Sequence, residues 1–378
     1  MFSKFTLALV GGVSTFAMPV INRAVDNTQP AGSNPGSLAS GAEYLGPQKS
    51  NNSCVKRDLG FTGQISGKWY AVFGDTNYCA PGVTDSTSML ATAGGFYGMV
   101  RDSISAMTDN VLETHDLHLN SDTPVAYPLQ FVPYNSSWGE DESTGFGGTS
   151  LCETNATADE GLIFYAVNEN VAGIKGAGVA KVKVVNGVPT VIQRFGDSGY
   201  WWNASTTPRY GDVAAYRDEK SDYIYALGGA PNSAVGYAMS DYVYQARVKA
   251  KDAFNLSQYE YWQGRAAGWS SELPTHFDST TAVMWNSGQG TIMWSPHYNC
   301  YFFVHTAPGG TDILIRTAPS PEGPWSNDVT VYTATVKEFG GMVYAGVSHP
   351  YLDPTGKTLT ISYTNYPADT EAIRLTFN

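Results

Sequence analysis

Asp58 and Asp75 stand 17 residues apart, one heading Arg57-Asp-Leu-Gly-Phe-Thr-Gly-Gln-Ile, the other ending Lys68-Trp-Tyr-Ala-Val-Phe-Gly-Asp. If the two runs are strands of one hairpin, both carboxyl groups return to the same rim. Hydrolysis of a glycosidic bond needs such a pair: one acid protonates the leaving oxygen and a second carboxylate acts as base or nucleophile from the other face. Neighbouring acids also push each other's pKa, which acid–base work requires. The plainer alternative makes Asp75 a turn residue in Gly-Asp-Thr-Asn, bonded to its own backbone, and Asp58 a strand cap.

Other residues qualify as substrate-binding partners. Asp212 follows Arg209-Tyr210-Gly and is a candidate third carboxylate, with Arg209 and Tyr210 beside it. His349 precedes Pro350 at a predicted strand start, and Glu153 follows Cys152. Tyr200-Trp201-Trp202 is a run of three aromatics, and Trp201 is expected as a subsite wall because sugar rings stack on aromatic faces. Asp197 and Asp278 are further cleft candidates, while His297, in a Pro-His-Tyr-Asn turn, belongs at the far rim. Arg209, Tyr210 and His349 also form the cast a polysaccharide lyase would need: a base and a charge neutraliser.

The elements that must position these residues are short strands. Pairs of apolar runs recur at Asp58–Asp75, Gly211–Gly229, Gly290–His305 and Gly346–Thr364. No helical stripe exceeds about two turns. Repeated antiparallel units at such intervals are the grammar of a β-propeller, in which the first strand of every blade meets one central channel. The expected fold is all-β, a five-bladed β-propeller in a single domain over 54–378. Its blades begin near Cys54, Gly147, Arg209, Thr291 and Ala345. A sixth blade over Tyr259–Trp285 is the alternative. Ser-Pro-Glu-Gly-Pro-Trp325 reads as a structural turn, its Trp capping a blade edge.

Composition sets limits. The 378 residues carry 42% hydrophobic, 13% aromatic and only 15% charged side chains, with 40 Gly and 24 Tyr, which suits strands joined by tight turns. A net charge of −12 argues against nucleic acid and favours a neutral polysaccharide partner. Met1-Phe-Ser-Lys4 and the apolar stretch to Met18 read as a signal peptide over 1–24, too short for a membrane span. Residues 25–53 follow as a linker or lead-in. Sequons at Asn51, Asn135, Asn155, Asn203 and Asn255 agree with secretion, and a monomer is expected. Cys54, Cys79, Cys152 and Cys300 allow three full pairings; the first two flank the opening strand pair and are the favoured bridge. No metal-ligand spacing is present, and no metal or cofactor is expected.

The stretch Arg57-Asp-Leu-Gly-Phe-Thr-Gly-Gln-Ile-Ser-Gly-Lys-Trp-Tyr-Ala-Val-Phe-Gly-Asp-Thr-Asn77 resembles the first-blade signature of the domain of unknown function 4185. Trp294 with Ile313-Leu-Ile-Arg-Thr-Ala-Pro-Ser-Pro-Glu-Gly-Pro-Trp325 resembles its fourth blade. The resemblance spans roughly residues 50–378 and extends to glycoside hydrolase family 183, endo-acting D-arabinanases. It implies a five-bladed propeller whose paired first-blade aspartates, here Asp58 and Asp75, are catalytic. An inverting mechanism, with its roles unassigned, is the expectation. A carbohydrate-binding propeller without catalysis, or the lyase, is the alternative. The eukaryotic look of signal and sequons leaves the polymer open.

Overall fold

Five sheets of four or six strands, antiparallel but for the short Lys49–Ser50 pairing, and one two-stranded ribbon make up the computed structural model, which describes residues 39–86, 89, 94–120, 125–169, 173–231, 240–337, 340–366 and 369–378. The expected signal peptide, residues 1–24, lies outside the described residues. Helical structure among the described residues is confined to three-residue 3₁₀ turns, so the five-bladed propeller stands as expected.

The innermost strands are Val55–Ile65, Thr144–Gly148 with Cys152–Asn155, Ala214–Asp218, Gly290–Ser295 and Val343–Ser348. Each pairs with the next strand outward: Lys68–Cys79, Glu160–Glu169, Tyr223–Gly229, Cys300–Thr306 and Thr358–Asn365. These second strands read as continuous rather than alternating apolar runs. Leu162 to Val167, for example, are buried without a break. Blade faces pack against neighbouring blades on both sides, so both faces of a strand are covered. The core divides accordingly into clusters between adjacent blades, one joining Phe164 and Trp202 to Tyr210 and Ile224, another joining Leu227 and Met284 to Phe303 and Trp325. Trp325 is fully buried there, in keeping with a structural turn.

The ring closes through the lead-in. Ala39–Pro47 pairs antiparallel with the last strand, Asp369–Phe377, so part of the expected linker is the outer strand of blade five. Glu260–Trp262, Trp269–Ser270 and Met284–Ser287 add to blade three, which removes the sixth-blade alternative. Cys54 and Cys79 form the disulfide that ties the opening hairpin, while Cys152 and Cys300 are free thiols.

Two inner strands are irregular near their starts. In blade one, register slips on both sides of Leu59, which takes φ +65° followed by Gly60 at +86°. In blade five it slips after Tyr344, where Ala345 has φ +58°. Such bulges re-aim a side chain and are strained for non-glycine residues. Gly60 is required at its place, because a Cβ there would press on the Phe73 ring.

Candidate active site

The two bulges turn Asp58 and Tyr344 toward one end of the propeller axis. Asp58, Asp75, Arg101, Asn168, Gln289 and Tyr344 line an axial pit of about 230 Å³, with Leu59, Gly74 and Phe146 among its apolar and backbone walls. Four blades contribute those six polar residues. The opening hairpin carries two of them because Asp58 falls in the bulge opposite Gly74 and Asp75.

The carboxyl of Asp58 is pushed up to about 7, first by burial and then by the charge of Asp75, while the Tyr344 hydroxyl and the backbone amides of Asp58 and Asp75 pull it back. Tyr344 Oη donates to Asp58 Oδ2 at 2.9 Å. Asp58 Oδ1 is buried without a hydrogen-bond partner and lies so close to Gly74 that a Cβ there would overlap it. Oδ2 is therefore the oxygen of the pair that is hydrogen-bonded, and Tyr344 is its partner. The Tyr344 hydroxyl is held far above its ordinary range by burial and by Asp58, so it stays a donor at every accessible pH.

Asp75 differs. Its side chain is 53% exposed at the pit mouth, and Arg101 Nη1 sits 3.6 Å from its Oδ1. Crowding by the pit walls raises its pKa above the usual carboxylate range, against the pull of Arg101. Arg101 is itself held: its amide donates to Gln130 Oε1 at 2.8 Å and its Nε to the Glu142 carbonyl at 3.1 Å. The adjoining Asp102, fully buried, accepts from the amides of Phe131 and Val132. Burial pushes it up to about 8. It clamps the turn that presents Arg101.

Arg57 buttresses the hairpin from behind. Its guanidinium pairs with buried Asp116, donates to Ser105 and Thr114, and lies 3.6 Å over the Phe73 ring. A buried arginine paired with a carboxylate and hydrogen-bonded through both terminal nitrogens is a rigid support.

The other sequence candidates fall elsewhere. Asp212 is buried and ion-paired with Arg209, itself buried, and neither lines the pit. The Asp212 backbone does contribute, because its carbonyl accepts from Gln289 Nε2 at 2.8 Å and fixes that side chain at the pit. Tyr210 is fully buried between blades two and three, edge-on to Trp202. Trp201 packs on Phe195, Trp202 and Tyr259, so it supports a core rather than a subsite wall. Every inner strand starts at the pit and runs to the opposite face, which places Glu153 and His349 at the far end. His349 is buried with Nε2 on Ser362 Oγ at 2.8 Å, and burial lowers it to about 3, leaving a neutral ring. Glu153 Oε2 accepts from the Ser66 amide at 2.5 Å. Asp197 and Asp278 do not line the pit, and His297 bonds the Asn378 carbonyl at the far rim.

Sequence reasoning missed Tyr344, Arg101, Gln289 and Asn168. Asn168 Oδ1 is buried without a hydrogen-bond partner at the pit wall. Among the described residues no group of three or more His, Cys, Asp or Glu is arranged to hold a metal ion, and no helix is long and apolar enough to cross a membrane.

Fold and pit together define a five-bladed propeller with a carboxylate pair at one axial mouth. The family model "Domain of unknown function (DUF4185)" matches residues 181–368, which cover the later blades of the ring. That span holds Gln289 and Tyr344, while Asp58 and Asp75 precede it. No curated protein matches the chain in sequence. Among solved structures, one from Bacteroides ovatus superposes with TM-score 0.59 at 17% identity, covering 88% of this chain and 86% of that one. An exo-β-1,3-galactanase from Phanerochaete chrysosporium gives 0.51 at 12% identity, covering 87% of this chain and 64% of the galactanase. A GH43_1 enzyme from Xanthomonas citri complexed with xylose gives 0.50 at 12%, covering 88% and 90%. At these identities the likeness is one of fold.

Proposed function

We propose that the protein is a glycoside hydrolase, endo-acting on a furanoside polysaccharide of the D-arabinan kind, with inversion at the anomeric carbon. The observation that carries the reading is the Asp58 carboxyl, pushed up to about 7 beside Asp75 in one axial pit. Two carboxyls with unlike surroundings are how one site runs acid and base chemistry together. In this reading Asp58 enters protonated and gives the proton to the leaving glycosidic oxygen. The carboxylate left behind accepts the Tyr344 hydroxyl hydrogen bond. Asp75, whose carboxylate form Arg101 favours against the upward push of burial, takes a proton from a water that attacks the anomeric carbon from the other side. Gln289 and Asn168 offer hydrogen bonds to sugar hydroxyls.

Support at the level of fold comes from the likeness to propellers described as an exo-β-1,3-galactanase and a GH43_1 enzyme. The furanoside choice rests on the first-blade resemblance at Arg57–Asn77. The reading includes secretion as a glycoprotein, supported by the apolar amino terminus and the sequons, and a monomeric state. Exposed Asn155, Asn203 and Asn255 each sit in a turn closed by their own Oδ1. The lyase alternative loses its cast, because Arg209, Tyr210 and His349 do not reach the pit.

The test is incubation of the purified protein with D-arabinan, L-arabinan, galactan and a uronate polymer, with measurement of reducing ends and of absorbance near 235 nm. New reducing ends from an arabinan without unsaturated product support the reading. No product from any polymer leaves a sugar-binding propeller.

A further inference from the structure

The opposite end of the axis holds a second, larger cavity of about 360 Å³, to which all five blades contribute and which shares no residue with the pit. Inner-strand hydroxyls at its wall are bonded from blade to blade: Thr62 donates to the Ser348 carbonyl at 3.1 Å, and Thr291 and Ser348 Oγ atoms lie 2.9 Å apart. The cavity is therefore a separate chamber, of the size that small-molecule sites occupy.

We propose that this chamber binds a neutral saccharide unit, as a carbohydrate-holding site distinct from the carboxylate pit. Two partly exposed indoles face it, Trp69 from blade one and Trp294 from blade four. Trp69 is braced on its other side by a stacked Tyr351 at 4.8 Å, and Trp294 is braced edge-on by Tyr301 at 5.0 Å. Braced indoles present flat apolar faces at little entropic cost, and the C–H face of a sugar ring is their natural complement. The Lys220 ammonium now lies over the Trp294 ring. It occupies the place an electropositive C–H face would take, and as an exposed lysine it can swing aside.

Charge selects the neutral class. Arg217 is committed to Asp222 and to the Glu153 carbonyl, and Glu153 to the Ser66 amide. The exposed charges that remain at the mouth are Lys220 and Glu219, one of each sign, both suited to sugar hydroxyls. An acidic polymer would meet no surplus of positive charge here and a chain of net charge −12 around it.

The experiment is calorimetric titration of the full-length Asp58→Asn chain with arabinan- and galactan-derived pentasaccharides and with oligogalacturonate. Binding of a neutral pentasaccharide is expected to weaken at least tenfold at one site in Asp58→Asn/Trp294→Ala, and measurably in Asp58→Asn/Glu219→Ala. The Glu219 variant alters only an exposed side chain, so it keeps the test alive if loss of Trp294 disturbs the fold. The two readings are tested apart: turnover of arabinan by the Trp294→Ala chain, whose pit is intact, reports on the hydrolase proposal alone, and failure of that proposal leaves neutral-sugar binding by the Asp58→Asn chain in place. Unchanged neutral-sugar affinity in both variants, or binding of oligogalacturonate alone, overturns the proposal.

Discussion

Tyr344 and Asp58 lie 286 residues apart in the chain and 2.9 Å apart in space, the phenol donating to Oδ2 from the last blade to the first. Each leaves a bulged turn of an inner strand, and each needs the other's bulge to make the contact. Because the phenol stabilises the ionised carboxyl, Tyr344→Phe is predicted to raise the pKa of Asp58 further. The alkaline limb of the pH–rate profile then moves to higher pH. Turnover falls by roughly tenfold or more, since a hydrogen bond to a charged group contributes ~1.5–3 kcal/mol. A pH profile that keeps its alkaline limb in place would remove the phenol from the acid's environment.

Arg101 acts on the other limb. It lowers a carboxyl that burial has raised, so Arg101→Gln should lift the Asp75 pKa and move the acid limb upward. Activity at pH 5 is expected to suffer more than activity at pH 8. The same profile, fitted for both limbs, checks it.

Stability should respond to Asp58 with a definite sign. Its folded-state pKa, about 7, lies above the ordinary value near 3.8. The protonated group therefore favours the fold fully below about pH 4, and that contribution is lost as pH rises to 7. Asp58→Asn is neutral at every pH, so its melting temperature should exceed that of the native protein at pH 8 and nearly match it at pH 4. Thermal unfolding across that range measures the difference.

Gly74 leaves room for the Asp58 carboxyl, and a Cβ at this position would strike Oδ1 and crowd the Leu59 side chain. Gly74→Ala is expected to destabilise the protein by about 1–3 kcal/mol, as overpacking does. It should also cut turnover well beyond the effect on melting, because the acid itself is displaced.

Much of the architecture is legible in the sequence, because blade pairs repeat and end in Gly or Asp. Asp58 and Asp75 are legible for the same reason: one hairpin holds both, and hairpin register follows from its turn. Tyr344 was invisible because its aim depends on a positive-φ residue at Ala345, which no residue pattern announces. Arg101 reaches the pit from a turn clamped by buried Asp102, again a tertiary effect. His349 was read as a strand start, yet it follows the strand Val343–Ser348 and so sits at the far end of the axis. Arg209 and Asp212 looked reactive and instead neutralise each other beneath Gln289.

The most direct measurement is the pH dependence of kcat/KM on D-arabinan for the native chain beside Asp58→Asn and Asp75→Asn. The expected result is a bell with its alkaline limb near pH 7, and loss of at least 10²-fold in each variant without loss of fold. Near-native turnover in both variants would contradict it.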